Sequence, residues 1–288
     1  MNFLYVFMFV FIWASGPIFV KLGLLYATPL DFLALRSLTA TFCFFIIWLI
    51  TCLKEGSRKS ISHLQWKNIL SMIVTALLLQ VAYQTSFFYA LQYKLSPGLL
   101  MIILGTQPIF TAIAMSDKLT KRNWIGLFFA LFGLYLVVHH SATIHGLNFL
   151  GVLFGLIALA GMTIGTLFQK RFCSNIDFST NLFFQYLTSS VLFLMIDRFQ
   201  IIHFSSFNIL FLVSLFWMGI IVSVIATCLY YYLVNSKHIT RVTTIFYGVP
   251  IVTVILDYFI YHQAISAVAL LGFFIICFGL YFSVGNIK

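Results

Sequence analysis

Long apolar runs follow one another along nearly the whole chain, and they limit the folds that are open to it. Hydrophobic residues make up 62% of the sequence and charged residues only 8%, whereas a soluble domain carries roughly 25% charged residues. A water-soluble fold of 288 residues could not bury so much apolar surface. Lipid must therefore solvate much of it, and the runs are too continuous for a transmembrane β-barrel, whose strands alternate every second residue.

The runs predict an all-α integral membrane protein with ten transmembrane helices. Roughly 20 apolar residues cross the hydrocarbon core as a helix, which satisfies its own backbone hydrogen bonds. The connections are too short to form a separate domain, and the first run lacks a preceding basic segment, so we predict a retained helix there rather than a signal peptide. The predicted spans are residues 2–21, 30–53, 68–91, 95–116, 122–139, 148–169, 179–196, 207–233, 239–260 and 264–284.

The distribution of Lys and Arg predicts the side of the membrane on which each connection lies. Under the ten-span assignment one side would hold Lys54, Arg58, Lys59, Lys67, Lys118, Lys121, Arg122, Lys170, Arg171, Lys237, Arg241 and Lys288. The other side would hold Lys21, Lys94 and Arg198. Because cytoplasmic loops are enriched in basic residues, we expect a multi-pass protein of the cytoplasmic (inner) cell membrane with both termini in the cytoplasm.

The two halves of the sequence resemble each other. Residues 126–138 (GLFFALFGLYLVV) and 272–284 (GFFIICFGLYFSV) share seven of thirteen positions, and Pro108 has a counterpart in Pro250. Chance similarity between Phe-rich helices is the alternative for any single match, but the matches fall in the same order in both halves. The chain is therefore predicted to contain an internal repeat.

The predicted repeat has an odd number of helices, so the second copy would insert upside down relative to the first. The basic bias of the loops reverses between the halves, as that orientation requires. We predict two inverted five-helix repeats, residues 1–140 and 147–288. Inverted repeats are typical of secondary transporters, which bind substrate near the midplane where the halves meet.

Several segments resemble the EamA branch of the drug/metabolite transporter (DMT) superfamily. They are Trp13-Ala14-Ser15-Gly16-Pro17 through Lys21, Asp31 and Arg36 in span 2, Lys94-Leu95-Ser96-Pro97-Gly98 leading to Gln107-Pro108, and the Gly-Leu-Tyr near the end of each half. The resemblance covers nearly the whole chain. It implies an inner-membrane carrier of metabolites, amino acids or amphipathic drugs, often outward, with a central cavity lined by helices 1, 3, 4, 6, 8 and 9. Where such repeats often have a Gly-Glu pair after helix 4, this chain has Ser116-Asp117, and the region after helix 9 reads Asp257-Tyr258.

Span 3 has the clearest polar stripe at membrane depth. Gln80, Tyr83 and Gln84 lie on one helical face. The corresponding face of span 8 includes Ser223, Thr227 and Tyr230. We predict that these side chains line the substrate cavity, with hydrogen bonding between helices as the alternative.

Charged residues inside the spans are further candidates, because placing Arg or Asp at a helix centre costs about 2.5–3.5 kcal/mol. Arg36 is predicted to bind a substrate carboxylate or to have a structural role, paired with Asp31 or extended to the interface. Asp257 is either a proton-coupling carboxylate or a solvated residue at a helix end.

Trp13, Gln107 and Tyr247 are expected to border the cavity, because the resemblance implies that helices 1, 4 and 9 flank it. Pro108 and Pro250 remove a backbone donor within spans 4 and 9. The freed backbone groups are candidates for substrate binding or for a bending point, and a passive kink is the alternative.

No nucleophile motif or nucleotide-binding loop is found, and His139, His140 and His145 are predicted to be interfacial rather than metal ligands. We therefore predict no metal, no cofactor, no catalysis and no nucleic-acid partner. The predicted function is alternating-access transport of a small metabolite, amino acid or amphipathic drug, secondary active or facilitative, directed outward. An intramembrane enzyme and a channel or scaffold are the alternatives. The expected partners are the substrate and the lipid bilayer, and both a monomer and a homodimer are compatible with the sequence.

Overall fold

A computed structural model describes residues 3–55, 65–114, 121–145, 148–196, 208–235, 248–263 and 266–284. Within these ranges the regular secondary structure is entirely helical, as the apolar runs predict. We number the helices α1 (Phe3–Gly23), α2 (Pro29–Glu55), α3 (Trp66–Ala76, Leu77–Ala82 and Tyr83–Gln92, continuous), α4 (Pro97–Leu104 and Gln107–Ala114), α5 (Lys121–His145), α6 (Phe149–Phe172), α7 (Phe178–Ile196), α8 (Ile209–Phe216, Trp217–Ala226 and Thr227–Asn235, continuous), α9 (Gly248–Tyr261) and α10 (Ala267–Val284).

Six of these helices are long and apolar enough to cross a membrane, namely α1, α2, α3, α6, α7 and α8. Their outer faces retain large apolar side chains, such as Leu53, Phe149 and Ile209, which are exposed by 73%, 75% and 68%. A soluble protein rarely exposes a contiguous apolar surface of this extent. The chain is therefore a multi-pass protein whose outer surface suits lipid.

Short polar residues cap the starts of several helices, among them α4, α6 and α8. The side chain of Ser96 accepts a hydrogen bond from the Leu99 N–H, and Pro97 occupies the first position of α4, where no backbone donor is needed. Asn148 and Asn208 accept hydrogen bonds from the second residue of α6 and α8 at 3.0 and 2.9 Å. These caps fix where each helix enters the apolar region.

Two helices contain π-helical segments at corresponding places in the two halves. They are Leu77–Ala82 in α3 and Trp217–Ala226 in α8. In α8 the wider turn allows the Ser223 hydroxyl to donate to the carbonyl of Met218, five residues earlier, at 2.7 Å. Such segments occur frequently at functional sites because they redirect side chains that an α-helix would place elsewhere.

Helices of the first half pack mainly against helices of the second half. The most extensive pairs are α5 with α10, α2 with α7, α3 with α6, and α1 with α8, while α9 packs against both α1 and α4. Packing among α1 to α5 alone is much less extensive. The core therefore forms between the halves rather than within each one.

The α5–α10 pair approaches most closely at its glycines. A β-carbon added to Gly133 would lie 2.5 Å from the carbonyl oxygen of Gly272, and one added to Gly272 would lie 2.7 Å from that of Gly133. Gly279 faces the carbonyl of Gly126 in the same way, at 2.6 Å. These glycines therefore form a helix-packing face on which the two backbones meet.

Candidate functional site

Arg36 lies in the interior, where α2 contacts both α3 and α8. Its side chain is only 5% exposed. Nη1 donates a hydrogen bond of 2.6 Å to Oε1 of Gln84, and Nε donates one of 3.0 Å to Oγ of Ser223. The guanidinium carbon is 5.9 Å from the ring centroid of Phe88, close enough for attraction between a cation and an aromatic face. We call Arg36, Gln84 and Ser223 the central polar cluster, and it joins both halves of the chain.

Neither structural role expected for Arg36 is found, and those two expectations were wrong. Asp31 instead accepts a hydrogen bond of 2.7 Å from the hydroxyl of Thr28. Arg36 and Asp31 are five residues apart on one helix, a spacing that places side chains on different faces. Arg36 does not extend to the interface, because Gln84 and Ser223 satisfy part of its hydrogen bonding at depth.

A cavity of about 10 Å³ lies beside the central polar cluster, which is space for about one water molecule. Both predicted glutamines of α3, Gln80 and Gln84, line it. The complete lining is Leu33, Arg36, Ser37, Gln80, Gln84, Tyr186, Ser189 and Phe193. We call it the central cavity, and helices α2, α3 and α7 form its walls.

Tyr83, which a regular α-helix would place on the face of these glutamines, does not line the central cavity. Its ring packs edge-on against Phe87, with the ring centroids 5.9 Å apart. Its backbone lies against α6, where a β-carbon at Gly161 would be 3.1 Å from the Tyr83 nitrogen. The π-helical segment just before Tyr83 changes the register of the stripe, which a regular 3.6-residue period does not describe.

A second, larger pocket of about 370 Å³ lies at the α1–α2 turn. A chain of aromatic contacts connects it to the central polar cluster. Phe211 lines this pocket and packs against Phe32 at 5.4 Å between ring centroids, and Phe32 packs against Phe88 at 5.2 Å. Phe88 in turn contacts the guanidinium of Arg36. Three rings therefore stand between the larger pocket and the buried cation.

Helix α7 contributes buried polar groups that the sequence reasoning missed. Asn181, Gln185 and Ser189 are spaced by four residues, so they share one face, and Gln185 and Ser189 are fully buried. The Gln185 amide donates to Oδ1 of Asn181 at 2.9 Å, while its own Oε1 bonds to none of the described residues. The regular spacing of polar residues in an apolar span was the signal that could have identified this face.

Several predicted cavity residues lie away from the central cavity. The amide of Gln107 donates to the Thr111 hydroxyl one turn later at 3.0 Å. Trp13 and Tyr230 both pack on Phe9, with ring centroids at 5.4 and 5.9 Å. Thr227 is half-buried in α8. The structure thus groups Trp13 with Tyr230 rather than with the glutamines.

The two prolines lie in different settings, and Tyr247 lies outside the described residues. Helix α4 is interrupted at Gly105 and Thr106, and Pro108 follows at the start of its second segment. Pro250 is buried in the first turn of α9, and a β-carbon at Gly105 would lie 3.2 Å from its Cγ. At its break, α4 therefore lies in close contact with α9.

Asp257 is fully buried, so the expectation of a solvated carboxylate at a helix end was wrong. Its Oδ2 accepts a hydrogen bond of 3.0 Å from the backbone N–H of Gly98, at the N-terminus of α4. The carboxylate stays inside because a helix N-terminus presents unpaired N–H groups and favours negative charge. Lys21 lies nearby, with Nζ 4.0 Å from the ring centroid of Tyr261.

Comparison with known proteins connects this arrangement to a family. Two uncharacterized transporters of Bacillus subtilis (strain 168) are similar along most of their length. YoaV is 22% identical over 276 residues, covering 94% of this chain and 92% of YoaV. YvbV is 23% identical over 277 residues, covering 93% of this chain and 86% of YvbV.

A solved crystal structure has the same fold, with a TM-score of 0.65 at 16% sequence identity, over 98% of this chain and 95% of the other. The model of the EamA-like transporter family matches residues 1–139 and 149–285. These two matches leave only a short connection and the last residues uncovered. The chain therefore belongs to the EamA-like transporter family.

Proposed function

We propose that this protein is a secondary active or facilitative carrier that moves a small metabolite, amino acid or amphipathic drug out of the cell. The observation that supports it best is the central polar cluster. Arg36 connects Gln84 of the first half to Ser223 of the second half beside a small cavity. In transporters with two repeats, substrate sites lie where the repeats meet. The outward direction rests on the family resemblance.

The proposed architecture is ten membrane spans in two inverted five-helix repeats, with both termini in the cytoplasm. The pairing of the helices supports it, because exchanging each helix with the one five places along returns the same pairs. The α1–α8 pair becomes α6–α3, and α2–α7, α4–α9 and α5–α10 each return to themselves. The matching positions of the two π-helical segments support the same symmetry.

The proposed mechanism is alternating access. The central cavity has room for about one water molecule, so a substrate needs the surrounding helices to separate. Side chains of Gln80, Gln84 and Arg36 would contact the substrate, while the α5–α10 pair would stay closed as a peripheral support. Asp257, if it takes part in coupling, would act through the contact between α9 and α4.

Flux from liposomes tests the proposal. Liposomes that contain the purified chain are loaded with the small-molecule fraction of a cytosolic extract, and the release of each compound is followed by mass spectrometry. We expect saturable release of one class of compound, and Gln84→Leu should reduce it while leaving insertion intact, because an apolar residue suits the bilayer. An Arg171→Gln variant, changed at an exposed site on α6, is the matched control.

The flux experiment distinguishes a carrier from a channel and from an intramembrane enzyme. Retention of every compound would overturn the transport proposal. Release that does not saturate would indicate a channel. Chemical conversion of a compound in detergent, where no second compartment exists, would indicate an intramembrane enzyme.

A further inference from the structure

We infer that, when the surrounding helices separate, the central cavity binds a small monoanion through its carboxylate, which pairs with Arg36. This inference rests on the proposed function and narrows its substrate class. The starting observation is that Arg36 is a buried cation whose two hydrogen-bond acceptors, Gln84 and Ser223, are both neutral. Buried charges in proteins are normally paired with an opposite charge, because removing an ion from water is costly.

The carboxylates that the structure describes near the ends of the helices are bonded elsewhere. Asp31 accepts from Thr28, Asp177 accepts from the backbone N–H of Thr180, and Asp257 accepts from Gly98. None of the residues that line the central cavity is acidic. The described part of the chain therefore shows no counter-ion for Arg36, and we assign that role to a ligand.

The geometry of the guanidinium favours a carboxylate. An arginine has five N–H donors, and the two bonds of Arg36 to the described residues use Nε and one hydrogen of Nη1. Nη2 and the second hydrogen of Nη1 are left for a ligand. The planar fork of arginine binds the two oxygens of a carboxylate together, and the resulting bonds are about twice as strong as neutral ones.

The lining argues against a cationic or zwitterionic ligand. A cationic group would stand beside the guanidinium of Arg36, and the lining has no carboxylate to offset the repulsion between the two positive charges. The nonpolar part of the ligand has a suitable environment in Leu33 and Phe193. A single carboxylate on a small apolar body fits these groups.

Ligand binding should be measured as a shift in the thermal unfolding midpoint of the purified full-length chain in detergent. The probes are two pairs of matched size, benzoate with benzamide and propionate with propionamide. We expect at least one acid to raise the midpoint and its amide to leave it unchanged. Equal shifts by acid and amide, or no shift with either acid, would overturn the inference.

Gln84→Glu is the decisive variant, because it keeps an oxygen at the position that Arg36 contacts and adds the missing negative charge. We expect a higher midpoint without any probe and the loss of the shift caused by the acid. A lower midpoint, or an acid response as large as that of the native chain, would contradict the inference that Arg36 lacks a counter-ion. Arg36→Gln should also lose the response, whereas Arg171→Gln, which removes an exposed arginine, should keep it.

The same liposomes separate this inference from the proposed function. Release of anionic compounds by the native chain, lost in Gln84→Glu, would support both. Release of neutral or cationic compounds only, equal in the native chain and Gln84→Glu, would overturn the carboxylate site and leave the transporter intact. Retention of every compound, together with a normal acid shift, would overturn transport and keep the binding site.

Discussion

Asp257 shows how a single buried carboxylate can hold two helices in place. Its Oδ2 caps the N-terminus of α4 from a position on α9, so it connects the first half to the second. Its Oδ1 bonds to none of the described residues, and Lys21 interacts with it electrostatically. The hydrogen bond to Gly98 supports a structural role for Asp257.

We expect Asp257→Ala to lower the free energy of unfolding by about 1–3 kcal/mol, because the N–H of Gly98 would be left buried without an acceptor. Asp257→Asn keeps an oxygen there, so the loss should be smaller. Thermal unfolding of both variants in detergent measures this. An Ala variant as stable as the native chain would refute the capping role.

The Asn variant also tests coupling, since it cannot release a proton. If Asp257 is only structural, flux from liposomes should stay near the native rate. If flux falls while stability is kept, the carboxylate takes part in transport itself.

At the scale of the helices, the close packing of α5 against α10 depends on glycine. Backbone atoms of the two helices meet at Gly133 and Gly272, so any side chain must push the helices apart. Gly16 on α1 provides a contrast, because a β-carbon there would lie 3.8 Å from the Met218 sulfur, an ordinary contact. The two positions allow the same substitution to be compared in a tight and in an open setting.

Gly133→Ala should destabilise the protein by about 1–3 kcal/mol through overpacking, with a similar effect for Gly272→Ala. Gly16→Ala should change stability little. Unfolding midpoints of the three variants in one detergent give the comparison. Equal midpoints for Gly133→Ala and Gly16→Ala would show that the α5–α10 crossing is looser than described.

The sequence predicts the helices, because apolar runs are a local signal. The partners of Arg36 are not local, since Gln84 and Ser223 lie 48 and 187 residues away. The π-helical turns were also beyond prediction, because each alters the regular period on which a face assignment depends. Gln80 and Gln84 line the central cavity beside Arg36, whereas Tyr83, one residue before Gln84, does not.

At the scale of the whole molecule, the distribution of basic residues predicts how the protein is oriented in the membrane. Reporter fusions at Lys288 and at residues 146–147, between α5 and α6, should report opposite sides of the membrane, with Lys288 in the cytoplasm, because basic residues are retained on that side. The readout is a pair of enzymes, one active only in the cytoplasm and the other only outside it. Activity of the same reporter at both positions would exclude the ten-span topology.

The pairing of helices across the halves has a consequence for how the protein is made. A chain leaves the ribosome from its N-terminus, so α1 to α5 are synthesised before any of their main partners exist. During that interval their inner faces, including the face of α2 that bears Arg36, lack the helices that cover them in the folded protein. The α5–α10 pair can form only after all the other described helices have been synthesised.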